Sequence, residues 1–233
     1  GTHDFADLLQ AVGAVAGIRR VRFTSPYPTD FTPRVVAAMA GTPAVCEHVH
    51  LPAQSGSDRT LKRMLRRYGR ERYPEVVAEL RAALPGITLS TDLIVGFPGE
   101  TDEDFAETLT LVEEAGFDDA YTFRYSVREG TPAVRLRDHV PDEVAADRLE
   151  RLVAVVRAQG RRKNLGRVGT VHEVLVERPA RRGGYLLGRT RTNLHVLLDL
   201  PPSAIGQYRK ARLTGTTGST FTGDVVATGL PVL

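Results

Sequence analysis

Cysteine is almost absent from this chain of 233 residues, which contains only Cys46. A single thiol excludes an intramolecular disulfide, and it excludes any iron–sulfur or zinc site built from several cysteines of this chain. We therefore predict no metal site within the chain. A protein without disulfides fits a reducing compartment, so the sequence predicts a cytoplasmic location.

Long hydrophobic runs are also missing. No stretch of about 18 apolar residues occurs, which predicts no membrane span and no membrane partner. The first four residues, GTHD, are acidic rather than basic and apolar, which predicts no secretory signal. Walker and dinucleotide-binding glycine motifs are absent, and so is a Ser-His-Asp signature. The composition, 42% apolar and 25% charged, is otherwise that of an ordinary globular protein.

Charge is distributed unevenly along the chain. Residues 161–233 contain twelve Lys and Arg against four acids, a net of +8, whereas residues 1–160 contain nineteen against twenty-four, a net of −5. This contrast predicts two domains, at 1–163 and 164–233, and makes the basic domain a candidate for binding nucleic acid. A preference for arginine throughout the genome is an alternative interpretation of the same composition.

Hydrophobic periodicity predicts about four alternations of strand and helix in the first domain, which is typical of parallel β/α units. Four such units could form a small open sheet or half of an eight-fold barrel, and the fold class is α/β in both cases. Predicted strands cover residues 21–23, 46–51, 87–95 and 120–126, and predicted helices cover 4–16, 33–39, 57–65, 73–84, 102–115 and 141–163.

The second domain consists of short alternating segments separated by glycine and proline. Five short strands in about 65 residues predict a small antiparallel β-barrel. The predicted strands cover residues 171–177, 185–189, 194–198, 211–214 and 221–227.

Polar residues follow or interrupt the predicted strands of the first domain. Because the carboxyl ends of parallel strands share one edge of a sheet, we expect these side chains to form one rim. Their hydroxyl, amide, carboxylate and guanidinium groups suit a polar ligand with amino, carboxylate and ribose functions. Ser57 and Thr101, in contrast, are interpreted as helix caps. The candidate ligand-binding residues are Thr24, Ser25, Gln54, Ser55, Asp92, Arg124 and Arg128.

Two histidines share one face of a predicted strand. His48 and His50 alternate with Val49, and Cys46 lies on the same face. The pair could bind a metal, but no third ligand is near in sequence, so we interpret both as hydrogen-bonded core residues. Cys46 is interpreted as a buried apolar residue and not as a nucleophile.

Basic residues of the second domain indicate an RNA-binding surface. The segment GRTRTN at 188–193 is its densest polar stretch, and Tyr185 and Tyr208 could stack on bases. The alternative is a solvated hairpin without a partner, and both interpretations stay open. The candidate RNA-binding residues are Arg189, Arg191, Asn193, Lys210 and Arg212.

Several long motifs of the chain resemble the radical S-adenosylmethionine methylthiotransferases. They are HLPAQSGSD at 50–58, followed by LKRMLRRY at 61–68, then STDLIVGFPGET at 90–101 and FRYSVREGTPA at 123–133. Residues 169–229 resemble the TRAM domain that ends these enzymes. The first motif is most similar to the branch that modifies N6-isopentenyladenosine beside the tRNA anticodon.

The resemblance implies a partial parallel (β/α) barrel at 1–163 and an OB-like TRAM barrel at 164–233. It implies an enzyme that adds a methylthio group to C2 of the adenosine, using S-adenosylmethionine and two [4Fe-4S] clusters. The family binds these clusters through cysteines that this chain lacks, so we expect the chain to be inactive without a missing N-terminal part. The implied partners are the tRNA anticodon stem-loop and that N-terminal part.

The resemblance also implies roles for the candidate residues, since it places all seven at the cofactor and substrate end of the barrel. Alternative functions remain open at this point. They are the same chemistry on another tRNA adenosine, the same chemistry on a ribosomal protein, and a module that binds RNA without catalysis.

Overall fold

The computed structural model describes residues 3–24, 27–181 and 183–226. The chain divides into two compact units, Gly1–Gln159 and Gly160–Leu233, and the division lies inside one long helix. Within the described residues, no helix combines the length and the apolar character that a membrane span requires.

The first unit contains a three-stranded parallel sheet. Its strands are β1 (His48–His50), β2 (Thr88–Val95) and β3 (Asp119–Arg124), and they lie side by side in that order. The central strand, β2, pairs through residues 88–90 with β1 and through residues 90–95 with β3. Because all pairs are parallel, the three strands end at the same edge of the sheet.

The described residues form six α-helices, each close to a predicted one, and the last of them runs from the first unit into the second. They are α1 (Phe5–Gly13), α2 (Pro33–Gly41), α3 (Asp58–Arg63), α4 (Arg72–Ala83), α5 (Asp102–Ala115) and α6 (Asp142–Leu165). The strand predicted at 21–23 is reduced to a single parallel bridge between Val21 and Val45. Hydrophobic pattern alone could not show that the backbone pairs there for only one residue.

One face of the sheet is apolar and packs against the helices. Val49, Leu51, Leu89, Leu93 and Val95 are at most 1% exposed and belong to one cluster with side chains of α2, α4 and α5. Burial of apolar area stabilises the fold by about 25 cal/mol per Å². This face therefore anchors the sheet on its helices and leaves the other face available for polar side chains.

A nearly buried carboxylate fixes the start of α5. Thr101 accepts a hydrogen bond from Asp104 N, and the Asp104 carboxylate accepts from Thr101 N at 2.8 Å, so the predicted cap is confirmed. The same carboxylate accepts from Ser57 Oγ at 2.5 Å and is paired with the Arg59 guanidinium. Burial raises the pKa of Asp104, but the hydrogen bonds from these three partners outweigh it and lower the pKa to about 2.

Gly56 lies next to this network at a contact that leaves no room for a side chain. A Cβ at Gly56 would lie 2.4 Å from Glu107 O and 2.6 Å from Thr108 Cα, both on α5. Gly56 N donates to Thr108 Oγ1 at 2.9 Å. The loop before α3 therefore approaches the α5 backbone directly.

The second unit is a closed barrel of five strands in the order β4-β5-β6-β8-β7. Four neighbouring pairs are antiparallel, but β6 and β8 run parallel, which corrects the prediction of a wholly antiparallel barrel. Strand direction cannot alternate around a closed ring of five, so at least one neighbouring pair must be parallel. The strands are β4 (Val171–Pro179), β5 (Leu186–Thr190), β6 (His195–Leu198), β7 (Tyr208–Thr216) and β8 (Thr220–Val225).

Alternate residues of the barrel strands point inward. Val174 and Val176 of β4, Leu213 of β7 and Phe221 of β8 are fully buried in the barrel core. The residues between the inward positions of β4, β5 and β6 are half-buried or exposed. The outer surface of the barrel can therefore carry charged side chains without a desolvation cost.

We expect Gly56→Ala to destabilise the first unit by about 1–3 kcal/mol, because the new methyl group would displace backbone rather than a flexible side chain. Gly41→Ala is the matched control, since nothing lies within 4 Å of a Cβ at Gly41. Urea unfolding followed by circular dichroism measures both changes. Equal stability of the two variants would contradict the close contact.

The lowered pKa of Asp104 predicts a pH-dependent contribution to stability. The pKa of Asp104 is about 2 in the folded chain, and that of an unfolded aspartate is about 3.9. The difference adds about 2 kcal/mol to the free energy of unfolding above pH 4, and this contribution is lost as the pH falls towards 2. Asp104→Asn should therefore cost most of that amount at pH 6, and the difference from the unsubstituted chain should shrink below pH 4.

Urea midpoints measured between pH 6 and pH 2.5 test this expectation. Asp147→Asn is the control, because Asp147 forms an exposed pair with Arg151 on α6 that contributes little. A difference between Asp104→Asn and the unsubstituted chain that stays constant over this pH range would exclude the proposed ionic role of Asp104.

Candidate functional site

A cavity of about 630 Å³ lies at the edge where the strands of the first unit end. Gln54, four positions after β1, forms one part of its wall. The second half of β2 and the end of β3 form another, and the loops after α3 and β3 complete it. A cavity of this size is in the range of small-molecule and cofactor sites. Polar and aromatic wall residues include Gln54, Arg66, Asp92, Arg124, Tyr125 and Arg128.

Four of the seven predicted ligand-binding residues meet in this cavity. Gln54, Asp92, Arg124 and Arg128 all contribute to its walls, although 74 positions separate the first from the last. Parallel pairing explains their proximity, because it brings the ends of β1, β2 and β3 to one edge.

The other three predicted residues do not contribute to these walls. Thr24 is exposed and lies elsewhere, and Ser25 is outside the described residues. Ser55 is fully buried, with its hydroxyl 3.2 Å from Thr108 Oγ1 and accepting from Ser57 N at 3.2 Å. Its side chain thus contacts α5 and does not line this cavity, so a cofactor-binding role of Ser55 stays a prediction.

Gln54 is held in an unusual backbone conformation. Its φ is 67°, in the left-handed region that glutamine seldom adopts. Gln54 N donates to Asp92 O at 2.8 Å, and Ile94 N donates to Gln54 O at 2.9 Å. These two backbone bonds continue the sheet ladder beyond β1. The side-chain amide of Gln54 has no hydrogen-bond partner among the residues that the structure describes. Strained residues held by their surroundings occur often at binding sites.

Asp92 belongs to a hydrogen-bonded group on the polar face of the sheet. His50 Nε2 lies 3.3 Å from Asp92 Oδ2, and His50 Nδ1 lies 2.9 Å from Ser90 Oγ. Ser90 Oγ also lies 3.3 Å from His48 Nε2, so the two histidines share this partner. Among the described residues, no group of three or more His, Cys, Asp or Glu is placed to hold a metal ion.

Arginines surround the cavity, and they differ in how far they are neutralised. Arg63 donates to both oxygens of Asp138 at 2.7 and 2.8 Å. Arg124 lies 3.7 Å from the exposed Asp142, a long and weak pair. The side chains of Arg66 and Arg128 have no hydrogen-bond or ion-pair partner within the part of the chain that the structure describes. The cavity is therefore positively charged.

An aromatic wall closes one side of the cavity. The rings of Phe97 and Tyr125 make an edge-to-face contact at 5.0 Å, and Phe123 is 49% exposed beside them. The hydroxyl of Tyr125 is buried and has no hydrogen-bond partner among the described residues. The pattern of polar residues at strand ends predicted neither Tyr125 nor Arg66, although both residues lie within the motifs that carry the family resemblance.

A buried ion pair fixes the turn that carries Phe97. Glu100 Oε1 accepts from Gly96 N at 3.0 Å and from Arg148 Nη1 at 2.9 Å. Burial raises the pKa of Glu100, although the Gly96 amide and the Arg148 charge act in the opposite direction. Arg148 belongs to α6 and also donates to Asp102 at 2.7 Å. The pair thus joins α6 to the turn between β2 and α5.

The outer face of the second unit carries the candidate RNA-binding cations on neighbouring strands. Lys210 and Arg212 are exposed on β7, with the half-buried Tyr208 preceding them on the same face. Arg189 lies on β5, and both β5 and β7 pair with β4. These residues therefore occupy one surface that spans β5, β4 and β7, which we call the β4 surface.

Two of the predicted RNA-binding residues contact each other. Arg189 Nη1 donates to Asn193 Oδ1 at 2.9 Å, and Arg189 Nε lies 3.2 Å from Glu177 Oε1. Glu177 therefore offsets part of the Arg189 charge. Arg191 is half-buried in the same hairpin. Lys210, in contrast, has no side-chain partner among the residues that the structure describes, so the cations of the β4 surface are unequally available.

Comparison with known proteins identifies close relatives. Residues 2–112 match the family model of the radical SAM superfamily. The chain is 50% identical over 206 residues to the tRNA-2-methylthio-N(6)-dimethylallyladenosine synthase of Deinococcus radiodurans, covering 88% of this chain and 40% of that protein. Proteins of the same name from Opitutus terrae and Thermus thermophilus are each 45% identical over 99% of this chain, which covers 48% and 50% of their lengths.

The chain thus spans about half the length of the curated relatives that it matches. Among solved structures, coproporphyrinogen III oxidase from Escherichia coli, described as a radical SAM enzyme, matches 87% of this chain and 50% of its own with a TM-score of 0.50. Its sequence identity is 16%, so this match concerns the fold alone. The family model shows that residues 2–112 belong to the radical SAM superfamily, and the curated relatives show that the chain is similar to the tRNA methylthio-synthases.

Proposed function

We propose that the chain is part of an enzyme that adds a methylthio group to C2 of N6-isopentenyladenosine beside the tRNA anticodon. The observation that carries the proposal is the single cavity that collects Gln54, Asp92, Arg124 and Arg128 at the carboxyl edge of the sheet. The names of the close relatives and the basic second unit support the same function. In this proposal the sheet is part of a (β/α) barrel in a cytoplasmic enzyme, and the second unit is an OB-like TRAM domain.

The residues of the cavity fit S-adenosylmethionine. Asp92 can accept from ribose hydroxyls or from the ammonium group, and the unengaged amide of Gln54 can both donate and accept. The rings of Phe97 and Phe123 offer apolar contact to the adenine, and Arg124 or Arg128 can bind the carboxylate. When bound, the cofactor supplies the hydrogen-abstracting chemistry and the methyl group that the family resemblance implies.

The chain does not fit an iron–sulfur cluster in the same way. Such clusters are usually held by several cysteine thiolates, and Cys46 is the single cysteine and is 1% exposed. The two [4Fe-4S] clusters of the proposed enzyme would therefore depend on a further, N-terminal part of the protein. This chain would contribute cofactor and substrate binding but no cluster ligand.

Asp92 and Gln54 would orient the ligand, because contacts within the sheet fix the position of each residue. His50 fixes one oxygen of Asp92 and leaves the other free to accept from a ligand hydroxyl or ammonium. The backbone of Gln54 is fixed by two sheet bonds, so only its side-chain torsions have to be ordered when a ligand binds. Pre-organised polar groups of this kind position a reacting atom at low cost.

The β4 surface of the second unit would bind the tRNA anticodon stem-loop. Lys210 and Arg212 can contact phosphates, and Tyr208 can stack on a base. Arg189 is oriented by Asn193 and Glu177, which suits a directed contact better than diffuse attraction. A non-catalytic RNA-binding module is the second candidate function, and the presence of only one cysteine favours it.

A chimera tests the proposed reaction. The chain should replace the matching half of the Thermus thermophilus relative, to which it is 45% identical, and the chimera should be reconstituted anaerobically with iron and sulfide. We expect 2-methylthio-adenosine in tRNA, detected by mass spectrometry of its nucleosides. Asp92→Asn in the chimera should lower the rate about tenfold or more, because it removes a charged acceptor from the cavity.

Asp147→Asn is the control for the chimera, since this carboxylate is exposed on α6 and makes only a surface ion pair. A chimera that binds iron and tRNA but forms no product would contradict the proposed reaction and favour the non-catalytic module. Product on a ribosomal protein, with unmodified tRNA, would favour the other methylthio-transfer reaction.

Neutralising the β4 surface together with Arg191, which follows β5, should weaken RNA binding in a salt-dependent way. In the variant that changes Arg189, Arg191, Lys210 and Arg212 to Gln, each lost phosphate contact should reduce the slope of log affinity against log salt by about one. Fluorescence anisotropy with a labelled anticodon stem-loop measures the slope. Arg151→Gln with Arg157→Gln, both exposed on α6, provides the control. An unchanged slope in the four-residue variant would exclude this surface.

A further inference from the structure

Two buried hydrogen-bond donors in the cavity wall lack acceptors. Arg66 Nε and the hydroxyl of Tyr125 are both inaccessible to water, and neither has a partner among the described residues. An unsatisfied buried donor is unfavourable, and such groups in folded proteins often mark a place where a ligand binds. The two residues come from different segments, the loop after α3 and the end of β3, yet both line the same cavity. Rotation of either side chain would turn its donor towards a ligand there.

The charge of the cavity exceeds what its proposed cofactor can balance. Arg66, Arg124 and Arg128 contribute three guanidinium groups, of which only Arg124 has a long and exposed acidic neighbour. Asp92 is the one acidic residue among the walls of this cavity. S-adenosylmethionine carries two positive groups and one carboxylate, so it would add positive charge to a site that is already positive. A second, anionic ligand would balance this charge better than the cofactor does.

We propose that the cavity also binds phosphate groups of the RNA on either side of the target nucleotide, with Arg66, Tyr125 and Arg128 as their donors. The inference rests on the proposed function, which brings an RNA base to this cavity. Phosphate oxygens accept several hydrogen bonds at once, and arginine binds them in a bidentate geometry. A nucleotide with its flanking phosphates thus supplies the acceptors that the wall lacks and the negative charge that the cofactor does not provide.

The end of α3 determines where Arg66 enters the cavity wall. Leu65 has a φ of 58°, Leu65 N donates to Lys62 O at 3.1 Å, and Arg66 N donates to Leu61 O at 2.9 Å. These bonds form a Schellman cap, which ends a helix with a residue in the left-handed region. Arg66 is the first residue after this cap, so its backbone is fixed by the helix end while its side chain lines the cavity.

Calorimetric titration of the chain with adenosine and with adenosine 3′,5′-bisphosphate tests the inference. We expect the bisphosphate to bind about tenfold more tightly than adenosine, since it engages charged donors. In the double variant Arg66→Gln with Arg128→Gln this preference should fall below about twofold, with adenosine binding unchanged. Tyr125→Phe, which keeps the contact with Phe97, should lower the preference by a smaller factor.

The control changes the same number of charges next to the cavity. Arg67→Gln with Arg137→Gln removes two exposed guanidinium groups that do not line the walls, so it should keep the full preference for the bisphosphate. If this control loses the preference as well, the effect is one of overall charge and the proposed phosphate contacts are wrong.

A second titration separates a phosphate from the carboxylate of the cofactor. S-adenosylmethionine is compared with its decarboxylated form in the unsubstituted chain and in the Arg66/Arg128 double variant. A loss of discrimination between these two compounds, with an intact preference for the bisphosphate, would assign the arginines to the carboxylate and overturn the inference. Binding of adenosine without any preference for the bisphosphate would overturn it while leaving the proposed function in place. Failure to bind adenosine and S-adenosylmethionine alike would count against both.

Discussion

The parallel backbone pairing on β2 is the constraint on which the cavity depends. β1 ends at His50, but the chain returns to β2 at Gln54 and forms two further ladder bonds, with the backbone of Asp92 and Ile94. These bonds hold Gln54 at a positive φ and keep its amide on the cavity side of the loop. Strain of this kind persists only where surrounding bonds determine the conformation. The same ladder therefore sets the edge of the sheet and positions the first polar group of the site.

The aromatic wall of the cavity, formed by Phe97, Tyr125 and Phe123, depends on a buried charge pair. Glu100 and Arg148 are each almost fully buried, and their contact joins α6 to the turn of Gly96 and Phe97. Removal of one partner would leave the other charge buried without compensation, which is more costly than the loss of the attraction itself. α6 is held from the same direction by Leu152 in the hydrophobic core. Packing and electrostatics thus fix the aromatic wall together.

Local signals explain what the sequence predicted correctly, and long-range contacts explain what it missed. The bounds of α5 were predicted to the residue, because Thr101 caps its start and Gly116, with a φ of 58°, ends it. The proximity of Gln54 and Asp92 in one cavity followed from the prediction that the strands run parallel and end at one edge. The contact of Ser55 with Thr108 did not follow from any local pattern, since it joins residues that are 53 positions apart. The parallel pair in the barrel was missed because it follows from closure of five strands, which no local pattern encodes.

The two faces of the sheet have different roles. The pairing register of β2 with β1 and β3 determines which side chains lie on each face. Parallel sheets are usually apolar on each face, but here Asp92 and His50 occupy one face, and Tyr121 and Phe123 of β3 are 56% and 49% exposed. Helices packed on that face would bury charge, whereas a ligand with hydrogen-bonding groups can satisfy it. Since side chains alternate along a strand, a slip of one residue would turn Asp92 towards the helices and expose Leu93. Selection for a stable core and selection for the site therefore act on the same strand pairing.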